Sequence, residues 1–475
     1  MLQVSEKELE NRLRLDNPWW EAGAGIDADY AQFPRRAYLP PFERLVRASD
    51  ANRAVVLLGP RRVGKTILVY HTIQMLLDSR KVSGRDIFYV SLETPLLNGT
   101  NLESLVSRFQ KLFDRPAQTP LYVFFDEVQY LKNWEIHLKS LVDTFRHCRF
   151  VATGSAAAAL KTKSAESGAG RFTEFVLPPL TFAEYLRFIG REDELIREYE
   201  EGEMIRHAAR NIHQLNEEFI NYLNFGGYPE AVFSETVKSN PRRYIKSDII
   251  DKVLLRDLPS LYGITDIQEL NSLFNTIAYN TAREFSLEKL SQTSHVAKNT
   301  LVRYLDYLEA AFLIKRVRRI DQNASHFQRM TTFKTYLTNP TMRAALFGPI
   351  DESHDAMGQM AETAVFSQWL HNAGYVNALY YARWKSGEVD LVNLDARQKP
   401  RFAVEVKWSD RPYDDAKEIK GILDFSRKHP LARNPLVTTY TASGEKALGA
   451  VNVEFSPTSL HCYIVGKNTL DRRRS

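Results

Sequence analysis

At 475 residues the chain exceeds one ordinary core, and its length suggests about three domains. Hydrophobic and charged fractions of 44% and 25% are those of a globular protein, and a net charge of +5 is too mild to mark a nucleic-acid binder by itself. No apolar run of about 18 residues suggests a spanning helix, the charged start MLQVSEKELENRLRLDNPWW lacks the apolar core of a secretion signal, and Cys148 and Cys462 make neither a disulfide framework nor a zinc site. The expectation is a cytoplasmic protein with no membrane partner.

In chain order, residues 1–50 read as a lead segment. Within it Arg35–Leu39 has two readings, a pad for an adenine ring or plain core packing. From 51 to 195 short apolar runs alternate with helical stretches, the pattern of a parallel α/β sheet. Ala54–Leu58, Ile87–Leu92, Leu121–Phe125 and Phe150–Thr153 read as its buried strands. Apolar spacing then turns helical over 196–263, which suggests a lid. Residues 264–330 read as helices followed by a basic β-like arm. Over 331–475 strands return, with a helix near Gly358–His371. The predicted fold class is α/β.

The stretch AVVLLGPRRVGKTILVYHTIQMLL reads as strand, tight loop and helix. Gly59, Pro60, Arg61, Arg62, Val63, Gly64, Lys65 and Thr66 fit the phosphate-loop pattern in full. Glycines let backbone N–H groups curl around phosphates, and the following helix presents its positive end. Lys65 is expected on the β and γ phosphates of ATP, and the Thr66 hydroxyl on Mg²⁺. A second buried strand ends in Asp126 and Glu127, which suit the magnesium shell and the general base for an attacking water. A third strand ends in Thr153-Gly154-Ser155. Thr153 or Ser155 orients that water, or else caps a helix over Ala156–Leu160. Arg171, after the small-residue stretch Ser164–Ala169, reads either as an arginine acting on the γ-phosphate in cis or in trans, or as a surface residue.

These pieces, with NPWW, FFDEVQYLKNWE, ATGSAAAAL, SGAGRFTEFVLPPLTFAEYL and NYLNFGGYPEAV, give residues 17–229 a resemblance to bacterial and archaeal AAA-type ATPases of the archaeal-ATPase branch. The resemblance implies ATP hydrolysis, a sensor at Thr153–Ser155, a functional Gly-Arg pair at Gly170-Arg171, and homo-oligomers that include rings. The chain departs from the pattern at Ala156–Ala159, where a longer Ser/Thr cluster is usual.

Farther on, Arg283–Ser291 and His295–Leu308 read as two helices joined by a polar turn. Ala311–Ile314 and Arg316–Arg319 read as a hairpin arm, so the whole suggests a winged helix-turn-helix. Between 281 and 320 there are eight Lys/Arg against four Asp/Glu, an excess that suits phosphate contact. Lys298, Asn299, Arg303, Arg316, Arg318 and Arg319 are the expected DNA contacts, although such modules also serve as protein-docking units.

Tyr380–Trp384, Gly387–Val392 and Arg401–Lys407 read as strands, with Glu405 and Lys407 on one face. Asp390 on the neighbouring strand and Glu362 from the preceding helix complete an acidic patch suited to a second Mg²⁺. The other reading is an exposed hairpin of alternating charge. The segment resembles the restriction-endonuclease-like superfamily, and a C-terminal domain of unknown function that accompanies such ATPases. That resemblance implies an acid followed by Glu-x-Lys. Three functions follow as expectations: an ATPase coupled to DNA binding or remodelling, an ATP-controlled assembly switch, and an ATP-licensed metal-dependent nuclease.

Overall fold

Five strands of mostly apolar sequence build the first sheet: β1 (Ala54–Leu58), β2 (Ile87–Ser91), β3 (Tyr122–Asp126), β4 (Arg149–Gly154) and β5 (Phe172–Val176). All pairings are parallel, in the order β2-β3-β4-β1-β5. Strands covered on both faces read as continuous apolar runs, and AVVLL, buried at every position, is such a run. The four expected strands are present. The fifth, FTEFV, is half-exposed throughout and carries no such signal. The computed structural model describes residues 5–97, 100–116, 118–155, 170–202, 204–325 and 331–474. They form two compact units, one ending at Leu177 and one running from Pro178 to Arg472.

In the first unit the lead segment closes the open edge of β2. The Asn17 amide donates to the carbonyls of Leu13 and Tyr89 at 2.8 Å, and its oxygen accepts from the Tyr89 N–H at 2.7 Å. Trp19 and Trp20 both donate their indole N–H to the Ile87 carbonyl, at 3.2 and 2.9 Å. An unpaired strand edge invites association with another chain, and NPWW covers this one.

The second unit opens differently from its helical expectation. The strands β6 (Ile196–Glu201) and β7 (Met204–Ala209) pair antiparallel there. The helices Ile212–Phe225 and Ile267–Tyr279 follow, with a π-helical stretch Arg242–Asp251 between them.

A nine-stranded sheet organises the rest of this unit. Its strands are β8 (Glu284–Ser286), β9 (Ile314–Ile320), β10 (Thr332–Leu337), β11 (Leu379–Trp384), β12 (Gly387–Leu394), β13 (Pro400–Glu405), β14 (Leu436–Thr439), β15 (Gly444–Leu448) and β16 (Val451–Pro457). Their order is β15-β16-β14-β13-β12-β11-β9-β10-β8. The basic arm is therefore one strand, β9, paired antiparallel with β10, and not a hairpin between 311 and 319. Because β9 also runs parallel to β11, the sheet continues across residue 330, where composition had suggested a boundary. Leu391 and Val404 face a core built with the helices Ile212–Phe225 and Met357–Trp369. Val392 and Ala403 face a second core under the helix Lys420–Lys428. Among the described residues no helix is long and apolar enough to cross a membrane.

Candidate active site

The loop after β1 is shaped by backbone demands that its sequence meets. Gly59 has φ of +157°, and a Cβ there would stand 2.3 Å from the Leu177 carbonyl oxygen, so no side chain fits. Gly64 has φ of +89° and starts the helix Lys65–Asp78, whose first turn no side chain caps. A helix N-terminus of this kind presents backbone N–H groups and positive dipole to an anion. Val63 is buried, and the Arg36 guanidinium donates to the Val63 carbonyl at 2.7 Å, tying the lead segment to the loop. Tyr38 beside it is fully buried, which favours the core-packing reading of Arg35–Leu39. Pro60 is buried, Arg61 half-buried and Arg62 exposed. The buried Lys65 ammonium donates to the carbonyls of Gly59 at 3.2 Å and Pro60 at 2.9 Å, so it already lies inside the loop.

Parallel register brings the acids to the same end of the sheet. Asp126 closes β3 and accepts from three hydroxyls: Thr66 Oγ1 at 2.9 Å, Tyr89 at 3.0 Å, and Thr153. Burial raises its pKa and the adjacent Glu127 charge raises it further, while the three donors pull it down. A hydroxyl and a carboxylate in contact beside the loop lysine are hard oxygen ligands that fit a magnesium shell. Glu127 has φ of +56°, a left-handed conformation disfavoured for a side-chain residue; its N–H donates to Thr153 Oγ1 at 3.0 Å. Such strain is typical of sites where geometry is imposed by function.

The strand end of β4 divides its labour. Thr153 is consumed in anchoring Asp126 and Glu127, whereas the Ser155 hydroxyl is buried and finds no partner among the described residues. Of the two residues expected to orient water, Ser155 has the spare hydroxyl. Gln129 had not been singled out, yet its amide nitrogen donates to the Glu127 carboxylate and its oxygen accepts from the Ser155 N–H at 3.2 Å. Tyr89, also missed, holds Asp126 from the middle of β2. The expected helix Ala156–Leu160 and the stretch Ser164–Ala169 lie outside the described residues.

Arg171 requires a correction. Its carbonyl accepts from Ala54 N–H, at the opposite end of β1 from the loop, and its guanidinium pairs with Asp143 at 2.5 Å. A five-residue strand separates it from the phosphate loop by about 16 Å at 3.3 Å per residue. Its backbone thus lies at the far end of β1 from its own chain's loop.

The second acidic patch requires a larger correction. Glu362, Asp390, Glu405 and Lys407 do come together, but Lys334 from β10 lies among them. Its ammonium is 2.9 Å from Asp390, 3.0 Å from Glu362 and 2.8 Å from Glu388, with a side chain 4% exposed. Tyr336 donates to Glu362 at 2.6 Å, the Val406 N–H donates to Asp390 at 2.9 Å, and Lys407 pairs with Glu405 at 2.9 Å. Burial alone would lower the Lys334 pKa, yet Asp390 and Glu362 hold it well above its ordinary value. Burial and Asp390 push Glu362 up to about 7 and Glu405 up to about 8, while the lysines keep Asp390 low. Among the described residues no three His, Cys, Asp or Glu side chains form a metal cage. The Lys334 ammonium, absent from the sequence reading, thus brings positive charge into the patch. The available signal was Lys334 itself, a lysine inside the strand TFKTYL, because a buried lysine needs buried partners.

The six expected DNA contacts separate as well. Lys298, Asn299 and Arg303 are exposed on the helix Lys298–Ala310, although Lys298 pairs with Glu288. Arg318 is exposed on β9. Arg316 instead turns inward to Asp306 at 2.5 Å and Glu309 at 2.6 Å, and Arg319 donates to the Arg383 carbonyl at 2.9 Å. Arg316 and Arg318, two apart on β9, share a face; what separates them is that Asp306 and Glu309 stand beside Arg316.

Comparison with known proteins follows these geometries. Residues 51–186 match the family described as an AAA domain, and with the loop and sheet this supports a P-loop AAA-type ATPase. Residues 216–353 match a domain of unknown function, which lies upstream of the β12–β13 hairpin and lends no support to a nuclease-like C-terminal domain. An uncharacterized protein of Haemophilus influenzae is 24% identical over 82% of this chain and 91% of its own length. One of Methanocaldococcus jannaschii is 25% identical over 72% of each. Among solved structures, the Aeropyrum pernix ORC2 protein in its ADPNP and ADP complexes is 14% identical, with a TM-score of 0.38 over 69% of this chain and 94% of its own. The Aeropyrum pernix ORC1 protein in complex with DNA is 13% identical, with a TM-score of 0.30 over 67% and 94%.

Proposed function

We propose that the chain hydrolyses ATP with magnesium and uses the cycle to change its grip on duplex DNA. The observation that carries the ATPase reading is the convergence of Lys65, Thr66, Asp126 and Glu127 at one end of a parallel sheet. Bound Mg²⁺ would neutralise phosphate charge, with Thr66 and Asp126 as its protein partners. Lys65 moves from the loop carbonyls to the β and γ phosphates. Glu127 takes a proton from the attacking water, and Gln129 holds that carboxylate in register with Ser155.

The DNA part rests on the helix-turn-helix order of Leu287–Ser294 and Lys298–Ala310, followed by the β9–β10 arm, the arrangement of a winged helix. Asn299 and Arg303 on the second helix, with Arg318 on the arm, face solvent as phosphate contacts require. The test is ATP turnover with and without duplex DNA at low salt. Stimulation that fades as salt rises is expected; turnover and protein mobility both indifferent to DNA would end the DNA reading while leaving the ATPase intact.

ATP-controlled self-assembly is favoured by one observation. Arg171 is half-exposed and turned away from its own loop, so its chemistry is left for a neighbouring copy. Mixing Lys65→Ala chains with Arg171→Ala chains should restore turnover if the arginine acts in trans, and restore none if it does not.

A further inference from the structure

Arg343 lies on the helix Thr341–Phe347, in a place where nothing so far uses it. The residue is 4% exposed, yet among the described residues its guanidinium makes no hydrogen bond or ion pair, and its Nε is sealed without a partner. Its Cζ stands 5.3 Å from the ring centre of Tyr279 and 5.7 Å from that of Phe347. The two rings meet edge to face at 5.2 Å and are themselves 56% and 42% exposed. Large exposed aromatics around a desolvated, uncompensated cation are costly unless something covers them. A guanidinium fork matches phosphate oxygens in two parallel hydrogen bonds, and exposed ring faces stack on any base. The helix Arg242–Asp251, which packs against Thr341–Phe347, begins with exposed Arg242 and Arg243.

We propose that Arg343, Tyr279 and Phe347 form a site for one phosphate–base unit of single-stranded nucleic acid. An acidic peptide would satisfy the arginine but leave the rings without purpose, which is why the nucleotide is favoured. The inference rests on the DNA reading above and adds to it a single-strand site separate from Asn299, Arg303 and Arg318.

The test is fluorescence anisotropy of the full chain with a labelled oligothymidine of about 12 nucleotides, within the length range of known single-strand sites. Tyr279→Ala and Arg343→Gln are each expected to weaken binding by about tenfold, the scale of losing one stacked base, and to leave duplex affinity unchanged. Arg343→Gln should also lower the salt dependence. Wild-type protein that ignores the oligonucleotide, or variants that bind it as well as wild type, would overturn the proposal. So would displacement of the strand by polyglutamate as readily as by unlabelled oligothymidine. If Arg343→Gln fails to fold, Tyr279→Ala, a change at an exposed ring, carries the test alone. Loss of duplex binding with single-strand binding retained would sink the duplex reading and leave this site standing.

Discussion

At the scale of single residues, chemistry depends on which groups share a carboxylate. Asp126 holds three hydroxyls, and Glu127 is gripped by Gln129, so the two acids do different work one position apart. Glu127→Gln should keep ATP binding and lower its turnover by about 100-fold or more, as expected for loss of a general base; phosphate release beside equilibrium nucleotide binding checks this. Gln129→Ala should change turnover with little change in KM, because it orients the base and touches no part of the loop. The Lys334 cluster makes a pH prediction. Glu405 and Glu362 have folded pKa values of about 8 and 7, above their ordinary 4.5, so the folded state binds the extra protons. Their contribution to stability is complete below 4.5 and is lost as pH rises through 7 to 8. Glu405→Gln should therefore be more stable than wild type at pH 8.5 by on the order of 1–3 kcal/mol, with a smaller difference at pH 6. Urea unfolding at the two pH values measures it, and equal differences would refute it.

Elements decide what their residues can reach. NPWW has little meaning as an isolated tetrapeptide; against β2 it becomes an edge cover, and Asn17→Ala should cost about 1–3 kcal/mol by leaving buried backbone groups of Tyr89 and Leu13 unpaired. Thermal melting of the full chain reads this. On β9, Arg316 and Arg318 share a face, and the carboxylates of Asp306 and Glu309 make them unlike. Arg318→Ala should weaken duplex binding and reduce its salt slope by about one without touching stability, since it removes one phosphate contact. Arg316→Ala should destabilise the fold, because it strands Asp306 and Glu309. The phosphate loop was legible in full, since each glycine answers a local backbone demand. The inward turn of Arg316 was not, because nothing local says that Asp306 and Glu309 stand beside it.

For the whole molecule, sheet continuity is the governing fact. The helix-turn-helix arm and the C-terminal strands share one nine-stranded sheet through the β9–β11 pairing. A fragment of 178–475 is therefore expected to unfold in urea as one transition seen alike by tryptophan fluorescence and circular dichroism, and a fragment of 264–330 should not fold alone. Separate transitions would contradict that unity.

By itself the amino-acid order determined four of the five strands of the first sheet, the loop Gly59–Thr66 and the acids that close β3. Those features are set by contiguous apolar runs and by short-range backbone geometry. Tertiary structure alone decided the partners: Lys334 among Glu362, Glu388 and Asp390, Arg171 at the far end of β1 from the loop, and Arg343 between the exposed rings of Tyr279 and Phe347. The physical reason is that charge compensation acts through space. Lys334 meets Asp390 across 56 residues of sequence, and only the register of a folded sheet brings them within hydrogen-bond reach.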